Sequence, residues 1–97
     1  LDFRPMVNST QTPYVGVDGG EIQLAIDFVN DTFSAYMSST NSDVTIAPDY
    51  IEASQLVTVT LPSGTAGTVY PIDVQYTLNS GIIETRTINI LQQWSDK

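Results

Sequence analysis

The chain has 97 residues, 41% of them hydrophobic, and its 11 acidic and 3 basic residues give a formal net charge of −8 at pH 7. This length suits one domain with a single hydrophobic core, so we predict that residues 1–97 form one domain. The negative charge repels nucleic-acid phosphates and no apolar run approaches the ~20 residues of a membrane span, so we expect no nucleic-acid binding and no membrane insertion.

The first segment, Phe3 to Val17, contains Pro5 and Pro13, each of which removes a backbone hydrogen-bond donor. Proline is tolerated at sheet edges rather than in central strands, so this segment is predicted to be an irregular edge strand. After a turn at 18–20, Glu21–Val29 alternates apolar and polar residues, which predicts a strand with one buried face. The inward residues of that strand are predicted to be Ile22, Leu24, Ile26 and Phe28.

The middle of the chain predicts further short strands separated by turns. In chain order they are a turn at Asn30-Asp31, a strand at Thr32–Ser38, a short strand around Asp43–Ala47, a turn at Pro48-Asp49, a crossing segment at Tyr50–Ser54 and a strand at Gln55–Leu61. In the first of these strands the alternation places Phe33, Ala35 and Met37 on the core side and Tyr36 on the other side.

Two longer strands, Thr68–Thr77 and Ile82–Gln92, flank Leu78-Asn79-Ser80-Gly81 and predict a β-hairpin. In the second strand Ile83 and Leu91 are predicted to face away from the core, where apolar side chains need a cover. We expect that cover from Phe3–Val7 or from a neighbouring chain or domain.

About seven strands and no amphipathic helix favour an all-β fold, an immunoglobulin-like β-sandwich of about seven antiparallel strands, because two stacked sheets bury both apolar faces. A small closed barrel is the alternative. The predicted core consists of Leu24, Ile26, Phe33, Val59, Ile72, Val74, Ile88 and Ile90.

A series of short motifs follows the same order along the chain. They are Gly19-Gly20-Glu21-Ile22-Gln23-Leu24, Asn30-Asp31-Thr32-Phe33-Ser34-Ala35, Thr45-Ile46-Ala47-Pro48, Val57-Thr58-Val59 and Thr87-Ile88-Asn89-Ile90-Leu91-Gln92. In this order, over roughly Leu1 to Gln93, the chain resembles the BACON-type immunoglobulin-like domains of Bacteroidetes. The resemblance implies a domain attached to secreted or surface glycan-handling proteins, as a spacer or as a mucin or carbohydrate contact. The family usually has a Trp where Phe33 stands and an aromatic residue near Ser42, so a sugar-binding role of those rings is not implied here.

The chain contains no His and no Cys, which excludes Ser-His-Asp and Cys-His nucleophilic sites as well as imidazole and thiolate metal sites. Carboxylates remain, and paired carboxylates can hydrolyse glycosides. The candidates for such a pair are Asp27, Asp31, Asp43, Asp49, Asp73 and Glu84. A sandwich of this size has little means to build the required cleft, so we predict no enzymatic activity, no catalytic residue and no cofactor.

Calcium binding is a further use of loop carboxylates, since an immunoglobulin-like topology would gather Asp31, Asp49 and Asn79 at one end. The run Asp-x-Asp-x-Asp-Gly is absent from the sequence. Solvated acidic residues that keep the domain soluble are therefore favoured over a calcium site, and no metal site is predicted.

Three aromatic residues are candidates for ligand binding, because an exposed ring provides contact area at low entropic cost. They are Tyr36, on the polar face of its strand, Tyr50, after a turn, and Trp94, beyond the last strand. Each also has a purely structural interpretation. Tyr36 would cover a sheet edge, Tyr50 would close the end of the core, and Trp94 would fold back or contact a neighbouring domain.

The leading hypothesis from the sequence is a non-catalytic module of a secreted or surface bacterial protein, acting as a spacer or as a weak glycan- or protein-binding domain. The alternative is a virion structural or decoration domain of a bacteriophage. Both predict neighbouring domains or chains in a larger assembly, with either an extracytoplasmic or a virion location.

Overall fold

The computed structural model describes residues 14–28 and 31–93, and these residues form an all-β domain. The eight strands are β1 (Tyr14–Val15), β2 (Gly20–Ile26), β3 (Thr32–Ser38), β4 (Thr45–Ala47), β5 (Tyr50–Ile51), β6 (Gln55–Leu61), β7 (Val69–Leu78) and β8 (Ile83–Gln92). The described residues contain no helix that could span a membrane.

The strands form two sheets, a five-stranded sheet in the order β1-β8-β7-β3-β5 and a three-stranded sheet in the order β2-β6-β4. Neighbouring strands are antiparallel, except that the short strand β1 runs parallel to β8. The predicted β-sandwich is therefore confirmed, and β1 adds a short parallel edge to it.

A single hydrophobic core lies between the two sheets, and both sheets contribute to it. In the three-stranded sheet, Leu24 of β2 pairs with Val57 of β6, so the alternating apolar residues of both strands point the same way. The buried core residues are Leu24, Ile26, Ala35, Met37, Ile51, Val57, Val59, Leu61, Tyr70, Ile72, Val74, Tyr76, Ile88 and Ile90.

Seven of the eight predicted core residues are buried, and Phe33 is the exception, with 57% of its surface exposed. The register between β3 and β7 shifts between Thr32 and Ser34, which is a β-bulge. A bulge inserts one extra residue, so the strict alternation breaks and both Ser34 and Ala35 are buried. The predicted inward orientation of Phe33 is therefore wrong, because periodicity does not reveal a bulge.

The predicted hairpin is confirmed, with β7 and β8 paired from Val69 and Leu91 to Thr77 and Ile83. The turn between them is closed by a hydrogen bond from the Gly81 amide to the Leu78 carbonyl, at 2.8 Å.

The two outward apolar residues of β8 differ in how far they are covered. Ile83 is exposed, whereas Leu91 is partly buried and is in register with Tyr14 of β1. The predicted cover by Phe3–Val7 lies outside the described residues. The turn residue Asn30 lies outside them as well.

Candidate functional site

The side of the five-stranded sheet that faces away from the core, called the outer face below, carries several large exposed side chains. Tyr36 is 45% exposed, Tyr50 is 46% exposed and Ile83 is 57% exposed. Phe33 joins them because the bulge turns it outward. The described outward positions of the strands are Phe33, Ser34, Tyr36, Ser38, Tyr50, Val69, Pro71, Asp73, Gln75, Thr77, Ile83, Thr85, Thr87, Asn89 and Leu91.

The strand register brings these residues together in rows across the sheet. One row runs from Tyr50 through Tyr36 and Gln75 to Thr85, and the two tyrosines are direct cross-strand partners. In the next row Thr77 lies beside the bulge of β3 and pairs with Ile83. Neighbouring strands lie about 4.8 Å apart, so the aromatic and aliphatic side chains form one patch rather than separate contacts.

The outer face is almost free of charge. Asp73 is the one charged residue among its described positions, and its Oδ1 accepts a hydrogen bond from Thr87 Oγ1 at 2.9 Å. The remaining polar positions are Ser, Thr, Gln or Asn, which offer hydrogen bonds without a formal charge.

Acidic residues lie at the border of this face. The Tyr50 hydroxyl donates a hydrogen bond to Glu52 Oε2 at 3.0 Å, and the Asp49 carbonyl accepts one from the Met37 amide at 2.7 Å, beside β5. At the opposite end of β3, the Asp31 carbonyl accepts from the Asn79 amide at 2.8 Å. The border is therefore acidic at both ends of β3.

A shallow open groove of about 460 Å³ lies at the same edge of the sandwich. It is lined by Tyr50, Ile51, Glu52, Ala53 and Gln55. Because Tyr50 belongs both to this groove and to the outer face, the two features form a continuous surface.

Of the three aromatic residues predicted to bind a ligand, the structure brings Tyr36 and Tyr50 side by side and exposed. Trp94 lies outside the described residues. Sequence reasoning missed Phe33 as a surface residue, since the alternation of β3 assigned it to the core. No local pattern in the sequence could have found it, because the bulge depends on how β3 pairs with β7.

The grouping of Asp31, Asp49 and Asn79 at one end of the domain is wrong for Asp49. Asp31 and Asn79 are joined at the start of β3, but Asp49 bonds the backbone near the end of that strand. The described residues contain no group of three or more His, Cys, Asp or Glu side chains that could hold a metal ion.

A buried glutamine, Gln92, ties the far end of the hairpin to two loops. Its Nε2 donates to the carbonyls of Gly16, Val17 and Pro62 at 3.2, 3.4 and 3.1 Å, and its Oε1 accepts from the Tyr70 hydroxyl at 3.1 Å. A buried amide with this many partners stabilises the loops and is not placed to bind a ligand. No sequence pattern indicates this role, because Gln92 stands at the end of a strand, where a polar residue is ordinary.

The buried tyrosine of the core, Tyr76, packs edge-on against Phe28, with ring centroids 6.5 Å apart. Burial raises the pKa of the Tyr76 phenol well above its ordinary value, and nearby Arg86 and Asp27 modify the shift in opposite directions. Its position between the sheets makes Tyr76 a structural residue.

Two solved structures are similar to this fold. The PKD domain from KIAA 1837 protein matches with a TM-score of 0.67 at 11% identity, over 100% of this chain and 94% of that one. Because a PKD domain is immunoglobulin-like, the predicted immunoglobulin-like sandwich is confirmed.

The second structure is a Bacteroides ovatus GH5 xyloglucanase in complex with a XXXG heptasaccharide, with a TM-score of 0.62 at 15% identity. The match covers 88% of this chain but 17% of the xyloglucanase chain, so this chain is similar to one small part of that protein. At these identities both likenesses show the fold alone.

The sequence matches no curated protein. A protein-family profile, described as "Podophage GP4 fiber-tail adaptor protein gp77", matches residues 17–91. The match spans nearly the whole described sandwich, from the turn before β2 to the penultimate residue of β8. The chain therefore belongs to the family of the podophage GP4 fiber-tail adaptor protein gp77.

Proposed function

We propose that this chain is a non-enzymatic structural module that joins neighbouring protein chains in the tail of a podophage virion. The observation that carries the proposal is the family match over residues 17–91, since the family is described as a fiber-tail adaptor. Of the two hypotheses from the sequence, the match supports the virion structural domain rather than the module of a secreted or surface bacterial protein.

The geometry supports a role in assembly. The domain is a single sandwich with one continuous core, and its exposed aromatic side chains lie together on one face. A preorganised surface of this kind contacts a partner without the entropic cost of ordering a loop. The described side chains of this surface offer hydrogen bonds and apolar contacts, and both suit protein association.

The location follows from this role, so we expect the protein in purified virions. Mass spectrometry of gradient-purified particles of the phage that encodes this chain should find it in a fixed ratio to the tail proteins. Particles produced without the gene should lack tail fibers, and expression of the gene in trans should restore them. Complete, fibered particles in the absence of the protein would contradict the proposal.

A weak glycan contact is a second candidate, favoured by the exposed cross-strand pair Tyr36 and Tyr50. Two adjacent tyrosines offer a stacking surface for a sugar ring. Isothermal titration against mucin and plant polysaccharides, with Tyr36→Ala and Tyr50→Ala as variants, tests it. Absence of binding by the wild-type chain would exclude this candidate. The BACON-type resemblance, which first led to it, stays a prediction.

A further inference from the structure

We infer that the outer face of the five-stranded sheet, centred on Phe33, Tyr36, Tyr50 and Ile83, is the surface that docks a partner protein in the tail. The partner is a different protein, with an apolar patch bordered by basic side chains. This inference rests on the proposed function, that the chain joins neighbouring tail proteins, and it assigns the surface and the chemistry of the partner.

The first argument is the placement of large apolar groups. Phe33 and Ile83 are each 57% exposed, although burial of either side chain in the core would stabilise the fold. The bulge between Thr32 and Ser34 sends Phe33 outward to the side that already carries Tyr36 and Tyr50. Bulges commonly re-aim a side chain, and clustered aromatic residues are typical of the centre of a protein interface.

The second argument is the low cost of removing water from this face. Among the described positions of the outer face, a partner that covers it dehydrates one carboxylate, Asp73, which already accepts a hydrogen bond from Thr87. Burying unpaired charges is expensive, so a nearly uncharged face on a chain with a net charge of −8 is the surface best suited to close contact. Gln75, Thr77 and Thr85 supply hydrogen-bonding groups between the apolar side chains.

The third argument is the negative charge at the border of the outer face. Asp31, Asp49 and Glu52 lie around the apolar centre, so a partner with Lys or Arg at the matching positions gains electrostatic complementarity. A second copy of this chain would bring the same acidic border and a further formal charge of −8. Like charges facing each other oppose such a dimer, so the border favours a different protein with basic side chains.

The outward side of the other sheet provides the contrast. The strands β2, β4 and β6 contain no aromatic residue, and the large apolar residue exposed there is Leu56, at 55%. Its neighbours across and along the strands are Ala25 and Thr58. Leu56 is therefore a control of nearly the same exposure as Phe33, on a face that lacks the aromatic cluster.

Binding of the full-length chain to the recombinant tail and fiber proteins of the phage that encodes it tests the inference. Affinities are measured by isothermal titration or biolayer interferometry at low and at physiological salt. We expect Phe33→Ser and Tyr36→Ser each to weaken binding at least tenfold, and Leu56→Ser to leave it unchanged. Thr85→Arg, which keeps every aromatic residue, should also weaken binding, because it places a positive charge opposite a basic partner. Asp49→Asn should reduce the dependence of binding on salt.

The outcomes separate the inference from the proposed function. If the wild-type chain binds none of these proteins, both are overturned. If it binds one of them and Leu56→Ser weakens binding while the outer-face variants do not, the adaptor role stands and the docking face is wrong. Self-association in sedimentation that Tyr36→Ser abolishes, with binding to the tail proteins intact, would assign the face to a second copy and overturn the inference. Polysaccharide binding lost in Tyr36→Ser, with protein binding intact, would overturn it in favour of a glycan. Circular dichroism of each variant confirms that it is folded.

Discussion

The inward and outward faces of the five-stranded sheet are made by the same strands, yet they differ in what covers them. On the inward face Met37, Val74 and Tyr76 are almost completely buried by the three-stranded sheet, whereas on the outward face Phe33 and Tyr36 keep about half of their surface exposed. A large side chain within the core is explained by packing. A cluster of large side chains outside the core is typical of a surface that contacts a partner, and the docking surface inferred above rests on this difference.

The polar groups of the two faces differ in the same way. On the inward face Gln92 has protein partners for both ends of its amide, while Gln75 on the outward face is exposed to water. Removing a buried polar partner leaves unsatisfied groups, but removing a hydrated one does not. The same substitution should therefore have different effects on the two faces.

The largest effect is expected for a charge placed on the inward face of β7, with a charge on its outward face as the control. Val74→Asp buries an unpaired carboxylate, which costs several kcal/mol against a total stability of about 5–15 kcal/mol, so this variant should not fold stably. Gln75→Asp, one residue along the strand, should melt close to the wild type. Ile26→Asp and Gln23→Asp form the equivalent pair in the other sheet. Thermal unfolding followed by circular dichroism measures all four, and equal melting temperatures within a pair would contradict the assignment of the faces.

A smaller effect is expected when the two glutamines are replaced by leucine. Gln92→Leu leaves the Tyr70 hydroxyl and the carbonyls of Gly16 and Pro62 without this partner, so we expect a loss of about 2–4 kcal/mol in the free energy of unfolding. Gln75→Leu should change it by less than about 0.5 kcal/mol, because surface substitutions rarely do more. Urea denaturation compares the two variants. A Gln92→Leu chain as stable as the wild type would show that the amide network contributes nothing to stability.

The third comparison concerns β3, where the bulge moves an aromatic residue from one face to the other. Met37→Ala should cost about 2–5 kcal/mol, as expected for a buried side chain, while Phe33→Ala should cost less than about 1 kcal/mol. The prediction from periodicity alone was the reverse for Phe33. If Phe33→Ala destabilised the chain as much as Met37→Ala, Phe33 would belong to the core after all. Urea denaturation of both variants decides between these results.

Most of the fold could be predicted from the sequence, because a period of two residues is a direct consequence of strand geometry. Gln55–Leu61 was predicted with the bounds of β6, and the hairpin of β7 and β8 within one residue at each end. The bulge at Thr32 and Ser34 was not predictable, since it depends on how β3 pairs with β7, a contact distant in sequence.

The candidate site was predictable only in part, for the same physical reason. Tyr36 and Tyr50 were identified as exposed aromatic residues, but their pairing requires β5 to lie beside β3, which no local pattern indicates. The role of Gln92 depends on loops that are 30 and 76 residues away along the chain. The sequence pattern assigns residues to faces, and the topology decides which of them meet.

The smallest effect we predict is confined to alkaline pH and comes from Tyr76. Burial raises the pKa of this phenol in the folded chain above its ordinary value near 10, so the folded state holds the proton more tightly than the unfolded state. Below about pH 10 both states are protonated and stability does not depend on this group. Above it the unfolded chain ionises first, so stability should fall by up to about 1.4 kcal/mol per pH unit from this residue. In Tyr76→Phe, which keeps the ring beside Phe28, the fall between pH 10 and 11.5 should be shallower than in the wild type, as measured by urea denaturation at each pH. Equal slopes in the two proteins would show that the inward face is more accessible to water than its burial indicates.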